Sequence, residues 1–435
     1  MHPSRSIRGR SSELLAGRRI ILGIAGSIAA TEVPRIAREL IRHGADVQAV
    51  MSAEAQRLVT AEAVQFATGH PPVTQLTGDV EHVSLLGPGA GRADLLLIAP
   101  ATANTIAKIA HGIDDTPVTS CASIALGGGV PVLLAPAMHE HMLQNPAVAE
   151  ALAKLRRWGV GLVSSLRAEG EEKLATPEEI AAAVLHRLAR GPWAGRSIVV
   201  IGGAARERID AVRSITNESS GAMAVALCVQ AHFRGAEVEL WLGHHSVAIP
   251  PYLVARSWSS VAELARLADS ERDRLPRAGA VIVPAALADF TLDARPGKIP
   301  SRRTPELTLR LRTATKILPR LRDLAPPPTL LVGFKLEAPG PAAELEASAR
   351  RMHREAHLDW VVADDSSTMG STEIRALVLP PHGARLWLQG SKFEVAGKLL
   401  DDIGRTLGTP VAPRTTGGRT RRRAKQGTRA PRRRS

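Results

Sequence analysis

The 435-residue sequence predicts an α/β fold with two doubly wound domains. Short apolar runs rich in β-branched residues alternate with segments of helical periodicity through both halves of the chain. Several of these runs end in a polar or glycine-containing loop, and ligands bind outside the carboxyl ends of the strands in open parallel sheets. A Gly-Pro step at 191–192 separates the two halves. We therefore predict an N-terminal arm, two domains and a basic tail, with the limits 1–17, 18–190, 191–410 and 411–435.

The first half opens with a strand–helix–strand pattern. A strand at 19–22 precedes the loop 23–31, an apolar helical stripe continues to residue 41, and a second strand occupies 46–51. The Gly26-Ser27 turn in this loop could hold a phosphate on backbone N–H groups and a hydroxyl, but a turn without a ligand explains it equally well. Later strands are expected at 94–99 and 130–135, and a closing helix at 177–188.

The second half repeats this pattern, with a donor-rich loop after its first strand. An apolar run at 197–201 is broken by Gly202-Gly203, and Gly221 precedes an apolar helix. Donors placed before a helix suit an anionic ligand. The donors in this loop are Arg206, Arg208, Arg213, Asn217, Ser219 and Ser220. Further strands are expected at 237–242, 280–284, 329–333 and 359–362, a hairpin at 375–379 and 385–388, and helices at 261–267, 342–355 and 392–406.

The composition argues against several classes of protein. Aromatic residues make up 3% of the chain, which disfavours a base-stacking nucleic-acid surface. The two cysteines, Cys121 and Cys228, cannot build a disulfide framework or a metal cluster by themselves. No apolar run reaches about 18 residues and no apolar segment follows the basic N-terminal residues, so neither a membrane span nor a signal peptide is predicted. These features predict a cytoplasmic protein in a reducing compartment.

The net charge of +14 is concentrated in the tail. Residues 414–435 contain ten arginines or lysines and no acidic residue, and removing these ten charges leaves +4 for the rest of the chain. Such a segment cannot bury a core, so we predict that it is disordered. It could bind polyanions non-specifically, but a nucleic-acid-binding function driven by the tail is the least supported interpretation. A nicotinamide-dependent dehydrogenase is also disfavoured, because residues 23–26 do not form a G-x-G-x-x-G fingerprint.

In their order and spacing, the loop motifs resemble those of one known family across about residues 11–407. The chain is similar to the bifunctional proteins of coenzyme A biosynthesis, in which a phosphopantothenoylcysteine decarboxylase is fused to a phosphopantothenate–cysteine ligase. The resemblance implies two Rossmann-like domains, a flavin-dependent cysteine decarboxylase followed by the ligase, in an archaeal-like variant. The motifs are GSIAAT, EHVSL, IAPATANTIAKIAHGIDD and PAMHEHMLQNP in the first half, and ERIDAVRSITNESSG, AALADF, GKIP, VADD and SKFEVA in the second.

For the first domain, the resemblance implies an FMN site and a proton-transferring histidine. His82, in the EHVSL motif, matches the catalytic histidine of the family, although a lone histidine beside a strand is more often structural. FMN would supply the redox chemistry of the decarboxylation. The FMN-binding residues would be Gly26, Ser27, Thr102 and Asn104, and the substrate-binding residues Met138, His139 and Met142.

Two departures from the family pattern lie in this domain. Bacterial members have asparagine where this chain has His139, which could hydrogen-bond a substrate carboxylate or cap a helix. Bacterial members also have a cysteine in a glycine-rich flap, where it protonates the product, but the corresponding residues 166–180 contain none. Lys173 could occupy the position of a basic flap residue.

For the second domain, the resemblance implies CTP-dependent ligation of 4′-phosphopantothenate with cysteine through an acyl-cytidylate, a reaction that needs cations and donors around phosphate and acyl oxygens. Ala222 stands where the family has a lysine. Together with the missing flap cysteine, this leaves open that only one half is active and the other is a scaffold. Mg²⁺ is expected with the triphosphate, although no ligand set is evident in the sequence. The catalytic residues would be Asn217 and Lys298, and the residues that bind substrate or nucleotide Asp289, Phe334 and Lys392.

The resemblance also implies self-association. Decarboxylase domains of the family pack as trimers, or as a dodecamer built from trimers, with FMN near the subunit contacts. Ligase domains of the family pair as dimers. We therefore expect a homo-oligomer that acts on small molecules and has no membrane partner.

Overall fold

The computed structural model describes residues 2–163, 166–168, 171–300, 302 and 306–407. Within these residues the chain forms two open, mostly parallel sheets with helices on both faces, as the sequence predicts. The basic tail at 411–435 and the predicted end of the second domain lie outside the described residues, as do the side chains of residues 166–168 and 171–173.

The first domain contains a five-stranded parallel sheet in the order β2-β1-β3-β4-β6, and a small antiparallel sheet in the order β5-β8-β7. Its strands are β1 Arg19–Ile24, β2 Asp46–Met51, β3 Leu95–Ala101, β4 Val132–Pro136, β5 Met138–His139, β6 Gly161–Leu162, β7 Leu166–Ala168 and β8 Glu171–Lys173. Its helices are α1 Pro3–Ser6, α2 Val33–Arg42, α3 Ala61–Thr68, α4 Glu81–Leu86, α5 Ala103–His111, α6 Pro117–Gly128, α7 Glu140–Leu143, α8 Pro146–Arg157 and α9 Pro177–Leu188.

Strand β1 shows why this sequence forms a buried central strand. Ile20, Leu22 and Ile24 enter one apolar cluster, while Ile21 enters a second cluster on the opposite face. Successive side chains of a strand point to opposite faces, so a strand covered on both sides reads as a continuous apolar run. The parallel register of β1 with β2 runs from Arg19 opposite Asp46 to Ile24 opposite Met51, which confirms the predicted strand–helix–strand unit.

The N-terminal segment differs from the predicted arm. Residues 3–6 form α1, and Leu15 is 1% exposed within the core of the first domain. The Leu15 N–H donates to the carbonyl oxygen of His43, just after α2, at 2.8 Å. Residues 3–17 are therefore part of the first domain, because an apolar side chain from this polar segment fills a gap beside α2.

The second domain contains an eight-stranded sheet in the order β13-β12-β9-β14-β17-β18-β19-β20. Six strands are parallel, and the predicted hairpin adds β19 and β20 in antiparallel pairing. The strands are β9 Ser197–Gly202, β10 Arg206–Arg208, β11 Ser214–Thr216, β12 Glu237–Leu242, β13 Ala255–Ser257, β14 Ala280–Val283, β15 Phe290–Thr291, β16 Arg312–Thr313, β17 Leu330–Glu337, β18 Trp360–Asp365, β19 Glu373–Leu379 and β20 Leu386–Ser391. The helices are α10 Ala222–Phe233, α11 Val261–Ser270, α12 Ile317–Leu324, α13 Ala342–Glu355 and α14 Lys392–Thr406.

The two domains meet through α9 and α10, which pack against each other within one apolar cluster. The His186 and His232 rings stack with their centroids 4.3 Å apart at this junction. Trp193, directly after the Gly-Pro step at 191–192, is 1% exposed and its Nε1 donates to the carbonyl oxygen of Leu400 at 2.8 Å. The segment between the two domains is thus anchored against α14 of the second domain.

Candidate functional sites

A cavity of about 340 Å³ lies at the carboxyl edge of the first sheet, and we call it the first cavity. The segments that follow β1, β2, β3 and β4 supply its walls. In open α/β sheets this edge is where ligands bind. Six of the residues predicted for FMN or substrate line it together, namely Gly26, Ser27, Thr102, Asn104, Met138 and Met142.

Gly26 lets two walls of the first cavity approach closely. A β-carbon added at Gly26 would lie 2.3 Å from Cβ of Glu54. No side chain fits at that separation, so glycine is the residue that permits the turn after β1 to pass against the segment after β2.

Hydroxyl groups cap the helices that begin at the first cavity. Ser27 Oγ accepts a hydrogen bond from the Ala29 N–H at 3.3 Å, at the start of the 3₁₀-helix Ile28–Glu32. Thr102 Oγ1 accepts from the Thr105 N–H at 3.2 Å and caps α5. Ser and Thr are favoured at this position because their oxygen satisfies a backbone donor of the first turn. The caps fix both hydroxyls at the cavity wall.

His82 lies outside the lining of the first cavity. It sits on α4 rather than beside a strand, which corrects the interpretation from the sequence. The Leu85 and Leu86 side chains anchor α4 in the core. His82 Nδ1 is buried and has no hydrogen-bond partner among the described residues. A buried polar atom without a partner is uncommon, so His82 Nδ1 has the capacity for an interaction that the described residues do not supply.

His139 forms the helix cap that the sequence offered as one of two alternatives. Its Nδ1 accepts a hydrogen bond from the His141 N–H at 3.2 Å at the start of α7. Its backbone pairs with Glu171 in β8, so the flap strand lies directly beside the segment that carries Met138 and His139. The His139 side chain is exposed and does not line the first cavity. The Lys173 side chain lies outside the described part of the flap.

A larger cavity at the carboxyl edge of the second sheet has two contiguous lobes. The α10 lobe, of about 530 Å³, reaches from the loop before α10 to the start of α14. The α12 lobe, of about 890 Å³, reaches from the loop after β14 to the start of α12. Asn217 and Phe334 line both lobes. The Asn217 side chain donates from Nδ2 to the carbonyl oxygen of Leu287 at 3.0 Å, which fixes its amide at the boundary between the lobes.

Lys392 and Asp364 line the α10 lobe as an opposed cation and carboxyl group. Burial raises the pKa of Asp364, against the opposing effects of a 2.8 Å hydrogen bond from Thr368 Oγ1 and of the Lys392 charge. Burial lowers the pKa of Lys392, against the opposing effect of the Asp364 carboxylate. Each charge thus offsets part of the cost of burying the other. A phosphate bound at Lys392 would add a negative charge that further favours the protonated lysine.

Asp289 lines the α12 lobe and forms an ion pair with Lys316, whose Nζ lies 2.7 Å from Asp289 Oδ1. Both side chains are mostly exposed. Because they are exposed, both side chains are available to a ligand in this lobe. The ion pair itself adds little to stability.

Lys298 is exposed in the loop after β15 and lines neither lobe. The loop is nevertheless fixed to the segment before Asn217 by the buried Asp210, which is 1% exposed. Asp210 Oδ2 accepts from the Ile299 N–H at 3.1 Å and from Arg213 Nη1 at 2.7 Å. Backbone hydrogen bonds from Val212 and other residues, and the Arg213 charge, lower the pKa of Asp210 to about 2.

Comparison with known proteins matches both halves of the chain to families. Residues 8–189 match the family described as Flavoprotein, and residues 193–407 match the C-terminal domain of the DNA/pantothenate metabolism flavoprotein. A coenzyme A biosynthesis bifunctional protein CoaBC from Thermococcus kodakarensis is 40% identical over 408 residues, which cover 94% of this chain and 100% of that protein. The chain belongs to the CoaBC family of bifunctional coenzyme A biosynthesis proteins.

Another relative and a solved structure are similar in the same way. The CoaBC protein of Methanocaldococcus jannaschii is 32% identical over 418 residues, covering 93% of this chain and 97% of that protein. A crystal structure of the C-terminal domain of a CoaBC protein is 26% identical, with a TM-score of 0.42, and covers 50% of this chain and 98% of that chain. Membership of the CoaBC family makes the first domain a flavoprotein decarboxylase domain and the second a ligase domain.

The residues of the first cavity suit a phosphorylated flavin. The cavity combines the glycine turn at Gly26 with the hydroxyls of Ser27, Thr102 and Thr105. It also contains Lys108, whose Nζ lies 2.6 Å from Asp115 Oδ2. Lys108 lies within the IAPATANTIAKIAHGIDD motif, but nothing in the sequence marks it as a site residue, because a helical lysine ordinarily points to solvent.

The second cavity is suited to Mg²⁺ only when a triphosphate is present. Among the described residues there is no group of three or more His, Cys, Asp or Glu side chains that could hold a metal ion. Mg²⁺ at nucleotide sites needs one or two carboxylates besides phosphate oxygens and water. Asp364 is a carboxylate that lines the α10 lobe, and it is the one we would assign to this task.

Ala222 is the first residue of α10 and lines the α10 lobe. Among the described residues that line this lobe, the lysine is Lys392.

None of the helices in the described part of the chain combines the length and the apolar character that crossing a bilayer requires.

Proposed function

We propose that the second domain ligates 4′-phosphopantothenate with cysteine in a CTP-dependent reaction, and that the first domain decarboxylates the resulting 4′-phosphopantothenoylcysteine to 4′-phosphopantetheine. Both activities belong to the CoaBC family, of which this chain is a member over nearly its full length. The observation that carries the proposal is that each sheet has a cavity at its carboxyl edge, lined by motif residues of the corresponding half.

In the ligase step, a carboxylate oxygen of 4′-phosphopantothenate attacks the α-phosphorus of CTP and displaces pyrophosphate, which forms an acyl-cytidylate. The cysteine amine then attacks the acyl carbon and releases CMP. We assign Asn217 to the acyl oxygen, Lys298 and Lys392 to phosphate oxygens, and Asp289 and Phe334 to the nucleotide. Fixed donors and cations stabilise the charge that develops in such a step. Mg²⁺, held by the triphosphate and Asp364, would neutralise more of it.

In the decarboxylation, bound FMN supplies the redox chemistry that activates the cysteinyl side chain for loss of carbon dioxide. We assign Gly26 and Ser27 to the phosphate of the cofactor, and Thr102 and Asn104 to its ring system. His82 would hold or move a proton at Nδ1, which lacks a partner among the described residues. We assign Met138, His139 and Met142 to the substrate.

A homo-oligomer is part of the proposal. His82 lies outside the first cavity of its own chain, and its Nδ1 has no partner among the described residues. Both facts support a flavin site completed by a second copy. We propose a trimer or a dodecamer of trimers through the first domain, and ligase domains paired as dimers, as the family resemblance implies. We also propose a cytoplasmic location, because the substrate cysteine must keep a free thiol, which a reducing compartment preserves.

Mass spectrometry of the products tests both halves in one experiment. The purified protein, loaded with FMN, is given 4′-phosphopantothenate, cysteine, CTP and Mg²⁺, and we expect 4′-phosphopantetheine. Accumulation of 4′-phosphopantothenoylcysteine alone would contradict the decarboxylase assignment and show what the absent flap cysteine costs. No product with either CTP or ATP would contradict the ligase assignment.

A further inference from the structure

The carboxyl ends of α8 and α9 carry a cluster of basic side chains that we call the basic patch. Its residues are Lys154, Arg156, Arg157, Arg187 and Arg190, of which all but the half-buried Lys154 are exposed. Arg187 Nη2 donates to the carbonyl oxygen of Gly159 at 3.2 Å and so holds the end of α9 against the end of α8. In the described part of the chain, no ion pair links a residue of the patch to an acidic side chain. The charge of the patch is therefore not neutralised from within the fold.

Trp158 adds an aromatic surface to the basic patch. It is 50% exposed, and Lys154 Nζ lies 5.2 Å from the centroid of its ring. A single exposed apolar residue is common and needs no explanation by itself. An exposed indole among arginines, however, combines a ring on which a base can stack with cations that can contact phosphates.

The basic patch lies at the opposite edge of the sheets from the cavities. Helix α8 is followed by β6, which begins at Gly161, and α9 is followed by β9, which begins at Ser197. Both strands run parallel to their neighbours, so both helices end at the edge where the strands begin. The first and second cavities lie at the carboxyl edges. A ligand on the patch would therefore leave both cavities open.

The segment between α9 and β9 is compact. A β-carbon added at Gly235 would lie 2.8 Å from Cβ of Ala189 and 3.3 Å from Cα of Ala194. Two positions of this segment thus contact the same glycine. Arg190, near the start of the segment, therefore lies close to Arg196 near its end.

The described chain ends at this same segment. Arg196 Nη2 donates to the carbonyl oxygen of Leu407, the last described residue, at 3.0 Å. The sequence therefore continues into the basic tail from a point beside the basic patch. The ten basic residues of 414–435 and those of the patch add to one local excess of positive charge, which attracts polyanions.

We propose that the basic patch and the tail together bind the phosphodiester backbone of a single-stranded nucleic acid, with Trp158 stacking on one base. Arginine predominates in both elements, and its guanidinium holds a fork of donors that matches phosphate oxygens. The tail contains no large apolar side chain that could enter a bilayer, which favours a nucleic acid over an anionic membrane. This binding function is independent of the ligase and decarboxylase activities.

The salt dependence of binding tests the inference on the full-length protein. The affinity for a fluorescein-labelled single-stranded oligonucleotide is measured by fluorescence anisotropy at several salt concentrations. For the triple variant Arg156→Gln, Arg157→Gln and Arg190→Gln we expect weaker binding, and a plot of log K against log salt that is less steep by about 2. Each phosphate contact with a single strand contributes about 0.7 to that slope.

A second triple variant provides the matched control. Arg266→Gln, Arg272→Gln and Arg277→Gln remove the same number of charges from exposed positions on α11 and just after it. The slope should then stay close to that of wild type. Product formation by each variant, followed by mass spectrometry, should equal that of wild type and shows that the variant is folded.

Two further variants separate the parts of the surface. Deletion of residues 411–435 should weaken binding but leave a residual affinity, which the triple variant of the patch lowers further. Trp158→Ala should weaken binding without changing the slope, because stacking releases no counterions.

Four outcomes would overturn the inference. The first is no binding of the oligonucleotide at an ionic strength of about 0.1 M. The second is an equal loss in the two triple variants, which would show an effect of net charge alone. The third is binding that the tail deletion abolishes and the patch variant leaves unchanged. The fourth is tighter binding to vesicles containing phosphatidylserine than to the oligonucleotide, which would identify a membrane as the partner.

Discussion

The first cavity and the second cavity lie at the same edge of two similar sheets but differ in size and in charge. The first has about 340 Å³ and walls of hydroxyl, amide and thioether groups, with Lys108 and Glu54 as its charged lining residues. The second has lobes of about 530 and 890 Å³ and several charged groups, among them Lys392, Asp364 and Asp289. A small site with tight walls suits a cofactor that stays bound. A larger charged site suits substrates that enter and leave as anions.

The strand orders explain part of this difference. In the first sheet the order β2-β1-β3-β4-β6 places the switch in winding direction between β1 and β3, where Gly26 and Thr102 meet. In the second sheet the order places β9 beside β14, and the switch lies between the donor-rich loop and the AALADF segment. Ligands bind where the winding direction changes, so each chain half presents its motif loops at one crevice.

The largest effect is expected from Gly26→Ala, which should abolish flavin binding and leave ligation intact. The added β-carbon would collide with Glu54, at 2.3 Å, and push the turn into the first cavity. The ratio of flavin to protein absorbance and the rate of ligation measure the two halves separately. Gly127→Ala is the control, because a β-carbon there meets nothing within 4 Å. Retention of flavin by Gly26→Ala would contradict the close-approach argument.

The second-largest effect is expected from Asp210→Asn, which tests whether Asp210 positions the loop that carries Lys298. Asp210→Asn should lower the kcat of ligation about 10- to 100-fold, as small misplacements of a catalytic group do, because the Lys298 loop loses its anchor at Ile299. In a Lys298→Gln background the same change should cost little, since residues that act as a unit are not additive. Asp269→Asn, which breaks a half-buried ion pair with Arg320 far from Lys298 in the sequence, is the control. Full additivity of the two changes would show that Asp210 does not act through Lys298.

The domain junction should respond to acid. Burial, with a smaller contribution from the His186 charge, lowers the pKa of His232 from 6.5 to about 3. The unfolded chain therefore binds a proton that the folded chain excludes, so this contribution to stability is present above pH 6.5 and is lost as the pH falls toward 3. His232→Phe should flatten the dependence of the unfolding temperature on pH in that window. An unchanged slope between wild type and variant would rule out this role.

The smallest effect is expected from Asp289→Asn. Its ion pair with Lys316 is exposed, so the free energy of unfolding should change by less than about 1 kcal/mol. The KM for CTP should nevertheless rise if Asp289 contacts the nucleotide. Chemical denaturation and initial rates measure the two quantities, with Arg312→Gln, which breaks the neighbouring exposed pair with Asp293, as the control. A loss of stability without a change in KM would assign Asp289 to the fold alone.

Much of the fold could be predicted because buried parallel strands are continuous apolar runs. Strands Asp46–Met51 and Glu237–Leu242 and helices Pro177–Leu188, Ala342–Glu355 and Lys392–Thr406 have the predicted bounds. The loops that line the cavities could be placed as well, because they follow those strands. The flavoprotein and ligase halves were predicted from motif resemblance and are confirmed by the family matches.

What could not be predicted depends on contacts between residues far apart in the sequence. The Asp210–Ile299 hydrogen bond joins residues 89 positions apart, and no local pattern marks it. Leu15 lies in a mostly polar segment whose other large apolar residues, Ile7 and Leu14, form no repeating helical or strand pattern with it, so its burial could not be predicted from periodicity. His82 was assigned its role from a motif. That motif predicts neither that His82 lies on helix α4 nor that it lies outside the lining of the first cavity. The role of each site residue stays a prediction.

The central claim is that two independent sites in one chain act in sequence, and the Gly26→Ala protein tests it most directly. The time course of both products is followed by mass spectrometry in wild type and in this variant, with 4′-phosphopantothenate, cysteine, CTP and Mg²⁺ supplied. We expect wild type to form 4′-phosphopantetheine, and the variant to accumulate 4′-phosphopantothenoylcysteine at the wild-type rate of ligation. Formation of 4′-phosphopantetheine by the variant, or loss of ligation together with decarboxylation, would contradict the claim.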